Sequence, residues 1–164
     1  MSVRHAISLE EIGPQNLLKM INDSLEIAAG DAGRTKPLAG TIAGIFFRGT
    51  STRTRTAFTV GALKLGASVI TYGPDDLQTN TGETIEDTAR VLSGSLDILV
   101  IRTNDSIAEM KAFAAQDRMA VINAMSENEH PTQAIADLVT IKETFGHLHV
   151  HVLYLGEGNN SAAA

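Results

Sequence analysis

The amino-acid sequence predicts an α/β fold, in which a doubly wound parallel sheet has helices on both faces. Short apolar runs rich in β-branched residues recur along the chain, and helix-length segments separate them. Runs that are apolar on both faces are typical of parallel strands covered on both sides. We predict strands at residues 41–47, 67–72, 97–101, 119–123 and 149–155.

A helix precedes the first predicted strand. Ser8 and Glu11 have the spacing of a capping box, in which two side chains bond the free N–H groups of a helix start. Residues 14–29 have helical character, and Gly30 ends the helix because glycine accepts the left-handed conformation that closes helices. Residues 30–37 form a polar turn in this prediction.

The next helix follows the first strand. It begins near Ser51 or Thr52 and ends at Gly66, and its apolar residues share one face. Those residues are Ala57, Phe58, Gly61, Ala62 and Leu65.

A later helix follows the fourth strand. Pro131 suits its first turn, where no N–H is needed, and Gly146 ends it. His130 and Gln133 therefore lie at the N-terminal edge of this helix. Its apolar stripe consists of Ile135, Leu138, Val139, Ile141 and Phe145.

Composition limits the classes of function. The chain has 164 residues, of which 13 are basic and 19 acidic, and it contains no cysteine. A net charge of −6 argues against nucleic acid or an anionic membrane as the main partner. Without cysteine there is no disulfide scaffold, thiolate nucleophile or cysteine-ligated metal, which is compatible with a reducing compartment. Without a long apolar stretch or the apolar core of a signal peptide, we expect a cytoplasmic protein.

The strongest chemical signal is the turn between the first strand and its helix. A helix start presents unpaired N–H groups and a partial positive charge, and both attract an anion. Hydroxyl groups at Ser51, Thr52 and Thr54 add donors, and Arg53 can bond two oxygens at once. The turn suits a phosphate, although an ordinary Ser/Thr cap beside solvated arginines remains the alternative.

Four motifs together resemble the aspartate/ornithine carbamoyltransferase family. They are Ser-Thr-Arg-Thr-Arg at 51–55, Asp-Thr-Ala-Arg-Val-Leu at 87–92, Arg102 at a strand end and His-Pro-Thr-Gln at 130–133. The resemblance covers nearly the whole chain but reaches only the first domain of a normally two-domain enzyme. It implies a carbamoyl phosphate-binding domain at residues 1–146. Residues 147–164 would then be the first strand and loop of a truncated amino-acid-binding domain.

The resemblance also implies a role for each site residue. The phosphate is bound by Ser51, Thr52, Arg53 and Thr54, and Arg102 reaches both the phosphate and the carbonyl oxygen. His130 polarises the carbonyl and Gln133 orients the carbamoyl amide. An amine attacks this carbonyl while phosphate leaves, so the reaction depends on positioning and electrostatics and implies no metal and no cofactor.

The loop at residues 73–82 bears on the acceptor and on assembly. In the family it reaches a neighbouring subunit's site, which implies a homotrimer with shared active sites. Gln78 aligns with a glutamine of ornithine enzymes, and Thr81 stands where aspartate enzymes carry a lysine. We therefore favour ornithine as the acceptor. An aspartate-type enzyme, a binding module without turnover and a nucleotide-binding domain remain the alternatives, as does a solvated loop without a partner.

Two departures from the family remove negative charge near the predicted phosphate site. Arg48 and Thr59 each stand where the family commonly has an acidic residue. These changes either tighten anion binding or mark another acceptor. Separately, His147, His149 and His151 alternate, which would place them on one face of an extended strand. We expect this face either to contact the absent domain or simply to tolerate polar residues, rather than to bind a metal.

Overall fold

A computed structural model describes residues 5–30, 36–103 and 105–158. Its centre is a parallel sheet with the strand order β2-β1-β3-β4. The strands are β1 (Ile42–Phe47), β2 (Ser68–Tyr72), β3 (Ile98–Arg102) and β4 (Ala120–Met125). The parallel sheet and the first four predicted strands are confirmed.

Helices connect the strands. They are α1 (Leu9–Ala28), α2 (Arg53–Lys64), α3 (Ile85–Leu92), α4 (Ile107–Ala114) and α5 (Pro131–Phe145), with a short 3-10 helix at Gln78–Thr81. The predicted starts and ends of α2 and α5 are confirmed: α2 begins after Thr52, and Gly146 ends α5 in the left-handed conformation. In the described part of the chain, no helix is long and apolar enough to cross a membrane.

Alternate side chains of β1 point into two separate cores. Phe46 packs with Met110 and Phe113 of α4, whereas Ile45 and Phe47 lie in a second cluster against which Phe58 of α2 packs. This alternation is what a strand covered on both faces requires. The doubly wound arrangement is therefore confirmed.

The strand order creates a crevice between β1 and β3. The chain passes from β1 to β2 at one side and then returns to β3 at the other, so the loops after β1 and β3 diverge. Open α/β sheets bind ligands at such switch points, outside the carboxyl ends of the strands. The topology therefore places the segment after β1 and the end of β3 at a binding crevice.

The segment before α1 closes one edge of the sheet. Ala6 pairs in parallel with Ile122 of β4. Its N–H donates to the Val121 carbonyl at 2.8 Å, and its carbonyl accepts from the Asn123 N–H at 2.9 Å. Residues ahead of the first helix thus contribute to the sheet, a contact that the sequence did not predict.

The predicted cap at the start of the first helix is confirmed. The Ser8 hydroxyl accepts from the Glu11 N–H at 3.1 Å, so Ser8 is the cap. The Glu11 carboxylate lies 3.0 Å from Lys111 Nζ on α4, in an ion pair between two helices. At Gly13 the φ angle is +73°, which breaks the helix before Pro14 begins its longer part. The predicted cap at Ser8 and the predicted helix at residues 14–29 therefore belong to one helix, and only the break between them was not predicted.

The strand predicted at residues 149–155 is wrong. This stretch forms no strand, and Val152, Leu153, Tyr154 and Leu155 are 61–84% exposed. A strand needs neighbouring N–H and C=O groups, and no strand of the described sheet lies beside it. The proposed domain boundary at residues 146 and 147 stays a prediction. Residues 31–35 of the predicted turn and 159–164 of the predicted terminal segment lie outside the described residues.

Candidate functional site

A cleft of about 620 Å³ opens between α2 and α5 at the switch point of the sheet. Its deeper wall is apolar and includes the predicted apolar face of α2, from Ala57 to Leu65. Its polar residues are Arg53, Thr54, Arg102, His130, Thr132 and Gln133. Two arginines and one histidine at one end of an apolar cleft suit a small anion with an uncharged portion.

The first turn of α2 forms one side of the polar end. Thr52 is the N-cap residue, and its side chain makes no capping bond. The helix has no acidic residue in its first turn, so no carboxylate of that turn offsets the positive end of the helix dipole. Arg53 follows and lines the cleft. This start of a helix has the properties of an anion site.

Arg102 joins β3 to this helix start. Its Nη1 donates to Thr54 Oγ1 at 2.8 Å and to Ser51 Oγ at 3.3 Å. Burial and then the charge of Arg53 lower the pKa of Arg102 from its ordinary value. The arginines are close enough for their charges to repel, and a bound anion would relieve that repulsion.

His130 is the N-cap residue of α5 and is 5% exposed. Burial lowers the pKa of His130, as does the charge of Arg102, while Asp137 opposes the shift. The imidazole is therefore neutral at neutral pH, and Thr132 Oγ1 lies 3.4 Å from its Nδ1. A neutral imidazole beside a guanidinium can donate one hydrogen bond to a polar oxygen.

Gln133 lies in the first turn of α5, where its N–H donates to the His130 carbonyl at 2.9 Å. Its side-chain Nε2 donates to Asp137 Oδ1 at 2.9 Å. The side chain is exposed and lines the cleft. Gln133 thus adds an amide beside the imidazole.

The structure brings most of the predicted site residues together. Arg53, Thr54, Arg102, His130 and Gln133 line one cleft, and Ser51 joins them through its bond to Arg102. Thr52 is exposed beside the cleft and does not line it.

Gln78 is not among the residues that line the cleft. It is exposed in the 3-10 helix, where its Oε1 accepts from the Thr81 hydroxyl at 2.7 Å. Its predicted role would require a second subunit.

Arg48, one of the departures from the family pattern, points away from the cleft. Its Nε donates to Glu109 Oε1 of α4 at 2.9 Å, and its guanidinium lies 5.4 Å from the centre of the Phe46 ring. The side chain of Glu109 is only 8% exposed. The charge of Arg48 is therefore paired within the fold rather than added to the predicted anion site.

Arg55 also turns away from the cleft, because residues two positions apart on a helix, such as Arg53 and Arg55, point in different directions. Its guanidinium lies 5.3 Å from the centre of the Phe47 ring and donates to the Phe47 carbonyl at 3.5 Å.

Thr132 lines the cleft but was not predicted from the sequence as a site residue. Its place between His130 and Gln133 in the quoted motif was the available signal.

The three alternating histidines do not form a ligand cluster. His147, His149 and His151 are exposed beyond α5. Among residues 5–30, 36–103 and 105–158, no group of three or more His, Asp or Glu side chains is arranged to hold a metal ion.

Comparison with known proteins shows what the whole chain is similar to. The family model described as the carbamoyl-P binding domain of aspartate/ornithine carbamoyltransferase matches residues 4–143. An ornithine carbamoyltransferase of Synechocystis is 46% identical over 140 residues, which are 84% of this chain and 45% of the relative. One from Gloeobacter violaceus is 39% identical over 157 residues, 95% of this chain and 49% of the relative.

Solved structures agree with these similarities. The ornithine carbamoyltransferase of Pyrococcus furiosus superposes with a TM-score of 0.88 at 32% identity, over 98% of this chain and 52% of that one. The Gloeobacter violaceus enzyme gives a TM-score of 0.79 at 35% identity over the same shares. The chain therefore spans about half the length of the proteins it matches.

Proposed function

The chain belongs to the aspartate/ornithine carbamoyltransferase family, and we propose that its cleft binds carbamoyl phosphate for transfer of the carbamoyl group to an amine of ornithine. The observation that carries the proposal is the bond from Arg102 to Thr54, which joins the end of β3 to the first turn of α2. This bond supports the proposal because it holds a guanidinium beside the start of α2, where the phosphate would bind.

The phosphate would bind at the start of α2. The free N–H groups of the first turn, the hydroxyls of Ser51, Thr52 and Thr54 and the guanidinium of Arg53 all donate hydrogen bonds. Phosphate accepts several donors at once, and charge-assisted bonds are the strongest of these. The same contacts stabilise the leaving group, because its negative charge grows as the bond to the carbonyl carbon breaks.

The carbonyl would lie between Arg102 and His130. In the reaction the amine nitrogen forms a bond to the carbonyl carbon, the bond from that carbon to the phosphate oxygen breaks, and the amine loses a proton. The carbonyl oxygen becomes more negative on the way, and the neutral imidazole of His130 donates a hydrogen bond to it. Gln133 would leave Asp137 and bond the carbamoyl amide.

Ornithine is the proposed acceptor on two grounds. The relatives reported above are named ornithine carbamoyltransferases. Gln78 and Thr81 of this chain also fit the ornithine pattern better than the aspartate pattern. The contacts to the amino acid would come from the half of the relatives that this chain does not span. We therefore expect these 164 residues alone to bind carbamoyl phosphate without appreciable transfer.

A homotrimer is the proposed assembly, with the loop at residues 73–82 reaching a neighbour. Its support is the exposure of Gln78 outside the cleft of its own chain. A cytoplasmic location is proposed from the absence of cysteine, which fits a reducing compartment. Analytical ultracentrifugation of the full-length protein tests the assembly.

Two calorimetric titrations test the cleft. The probes are inorganic phosphate and phosphonoacetamide, in which a methylene group replaces the labile bridging oxygen of carbamoyl phosphate. We expect both to bind and phosphonoacetamide to bind more tightly, because it retains the carbonyl. His130→Ala should leave phosphate affinity unchanged and remove most of this advantage. Loss of phosphate binding in His130→Ala would contradict the carbonyl assignment, and failure of both probes to bind wild type would reject the function.

A coupled assay of the full-length protein tests the acceptor. We expect citrulline to form from carbamoyl phosphate and ornithine, with little reaction of aspartate. Preferred reaction with aspartate would move the protein to the other branch of the family.

A further inference from the structure

The loop that carries His130 is held by two polar side chains with no exposure to solvent. Asn123 ends the regular part of β4, Ser126 follows the strand, and both are 0% exposed. Asparagine and serine are rarely buried completely, because each buried polar atom needs a hydrogen-bond partner. Both residues lie at the base of the loop that carries His130, so their hydrogen bonds can fix the position of that loop.

Asn123 uses both ends of its amide. Its Nδ2 donates to the Ile7 carbonyl at 2.9 Å and to Ser126 Oγ at 3.1 Å. Its Oδ1 accepts from the Met125 N–H at 2.9 Å. One side chain therefore connects the segment before α1, the end of β4 and the loop.

The pairing of β3 with β4 is irregular next to Asn123, and the side-chain amide bonds a backbone N–H at this irregularity. Ile101 pairs with Asn123 and Arg102 pairs with Met125, so Ala124 has no counterpart on β3. At Met125 the φ angle is +153°, an unfavourable value for a residue with a side chain. The Asn123 amide supplies an acceptor for the Met125 N–H at this irregularity, as a strand neighbour would in a regular ladder.

Ser126 connects Asn123 to the peptide group that precedes His130. The Ser126 N–H and hydroxyl both donate to the Glu129 carbonyl, at 2.8 Å and 3.1 Å. That carbonyl lies in the same rigid peptide plane as the His130 nitrogen. The orientation of this plane sets the direction in which the His130 side chain leaves the backbone.

A second contact holds the loop from the side of α1. The Leu9 N–H donates to Glu129 Oε2 at 3.2 Å, at the first turn of that helix. With the Ile7 bond to Asn123, it ties the loop to the chain segment before and at the start of α1. Neither contact involves a residue that lines the cleft.

We propose that Asn123 and Ser126 are positioning residues, which orient the His130 imidazole over the carbonyl of the bound carbamoyl group. The inference rests on the proposed function, because it assumes that His130 bonds this carbonyl. Neither residue lines the cleft. Their effect should therefore appear in recognition of the carbonyl and not in recognition of the phosphate.

The test compares two ligands in four variants of this chain. Dissociation constants for inorganic phosphate and phosphonoacetamide are measured by calorimetry, and their ratio reports the contribution of the carbonyl. Ser126→Ala removes one hydroxyl and is the variant expected to fold; Asn123→Ala is the stronger change. The control is Ser93→Ala, since Ser93 is 9% exposed and its hydroxyl donates to the Arg90 carbonyl at 2.9 Å, beyond the end of α3.

We expect Ser126→Ala to reduce the ratio about fivefold to tenfold, the effect of losing roughly one well-made hydrogen bond. Phosphate affinity should stay within about twofold, and Ser93→Ala should change neither value. Equal weakening of both ligands, or an unchanged ratio in Ser126→Ala, would overturn the proposal. His130→Ala separates the two hypotheses: if it also leaves the ratio unchanged, the proposed function fails; if it alone removes the advantage, only the positioning role fails.

A second readout needs no ligand. The pKa of His130, followed by its imidazole NMR signals, should rise toward the ordinary value in Ser126→Ala, because a loosened ring gains access to water. The Ser93→Ala control should keep the wild-type pKa. An unchanged pKa in a folded Ser126→Ala protein would count against the proposal.

Discussion

The guanidinium of Arg102 donates to the hydroxyl of Thr54 at 2.8 Å, across the crevice between β3 and the first turn of α2. This bond fixes the charged end of a long side chain, so that less rotamer freedom is left to lose when an anion binds. The contact between β3 and α2 would thereby prepare the proposed anion site.

The hydrogen bonds of Arg102 predict that a positive charge alone at this position is not enough for full phosphate affinity. Arg102→Lys keeps the positive charge but loses the planar fork that bonds Thr54, Ser51 and an anion together. We expect phosphate affinity to fall about tenfold, because one charge-assisted bond is lost and the remaining charge is less well placed. Calorimetric titration with inorganic phosphate measures this change, and wild-type affinity in the variant would contradict it.

Arg53 and Arg55 provide a matched pair on one helix. Arg53 lines the cleft, whereas Arg55 lies over the Phe47 ring. Arg53→Ala should weaken phosphate binding by about tenfold to a hundredfold, the loss of one strong ionic hydrogen bond. Arg55→Ala removes the same charge and should change phosphate affinity by less than about threefold. Similar losses in both variants would show that only overall charge matters.

The lowered pKa of His130 predicts a dependence of stability on pH. The unfolded chain, with histidine near its ordinary value of 6.5, binds this proton more readily than the folded chain does. The stabilising contribution of the neutral imidazole is complete above that value and is lost as the pH falls toward the folded pKa. Urea unfolding from about pH 7.5 to about pH 5 should therefore show declining stability.

Replacing the imidazole separates its part of this effect. His130→Gln should reduce the decline, and His147→Gln should not, because His147 is exposed. Some decline should remain in His130→Gln, since burial also lowers the pKa of His5. An identical pH profile in wild type and His130→Gln would refute the assignment.

The ion pair of Arg48 and Glu109 predicts a loss of stability without a loss of ligand. Arg48→Ala leaves the carboxylate of Glu109 without its partner at 8% exposure. We expect the free energy of unfolding to fall by about 2–3 kcal/mol, less than for a fully buried pair because Arg48 is partly exposed. Urea unfolding measures this loss. Phosphate affinity should be unchanged, and weaker binding would place Arg48 in the anion site after all.

A double variant checks the cause. Adding Glu109→Leu to Arg48→Ala removes the unpaired charge and should recover part of the lost stability. Failure to recover any of it would mean that the packing of Arg48 on Phe46 matters more than the ion pair.

The sequence predicted those features that depend on a single helix or strand. Apolar runs marked the four strands, and Gly66 and Gly146 marked two helix ends, because these signals depend on local geometry. The position of Arg102 in the cleft was also predictable, since a charged residue at the end of a buried strand lies where such sheets bind ligands.

The remaining features depend on contacts between distant segments. Arg48 and Glu109 are 61 residues apart and Glu129 bonds Leu9 across 120 residues, so no local pattern indicates either contact. Asn123 is the last residue of a predicted strand, and no local pattern indicates that its side chain is buried and bonds the Ile7 carbonyl 116 residues away. Residues 149–155 have the composition of a strand, but no strand of the described sheet lies beside them to supply hydrogen-bond partners.

The pairing of Ala6 with Ile122 bears on how the protein is handled. It shields the outer strand β4, whose backbone groups would otherwise accept a strand from another molecule. Trimming residues 5–8, or fusing a rigid label directly onto them, would uncover that edge and invite self-association of otherwise well-folded chains. A flexible spacer before this segment should preserve the shield.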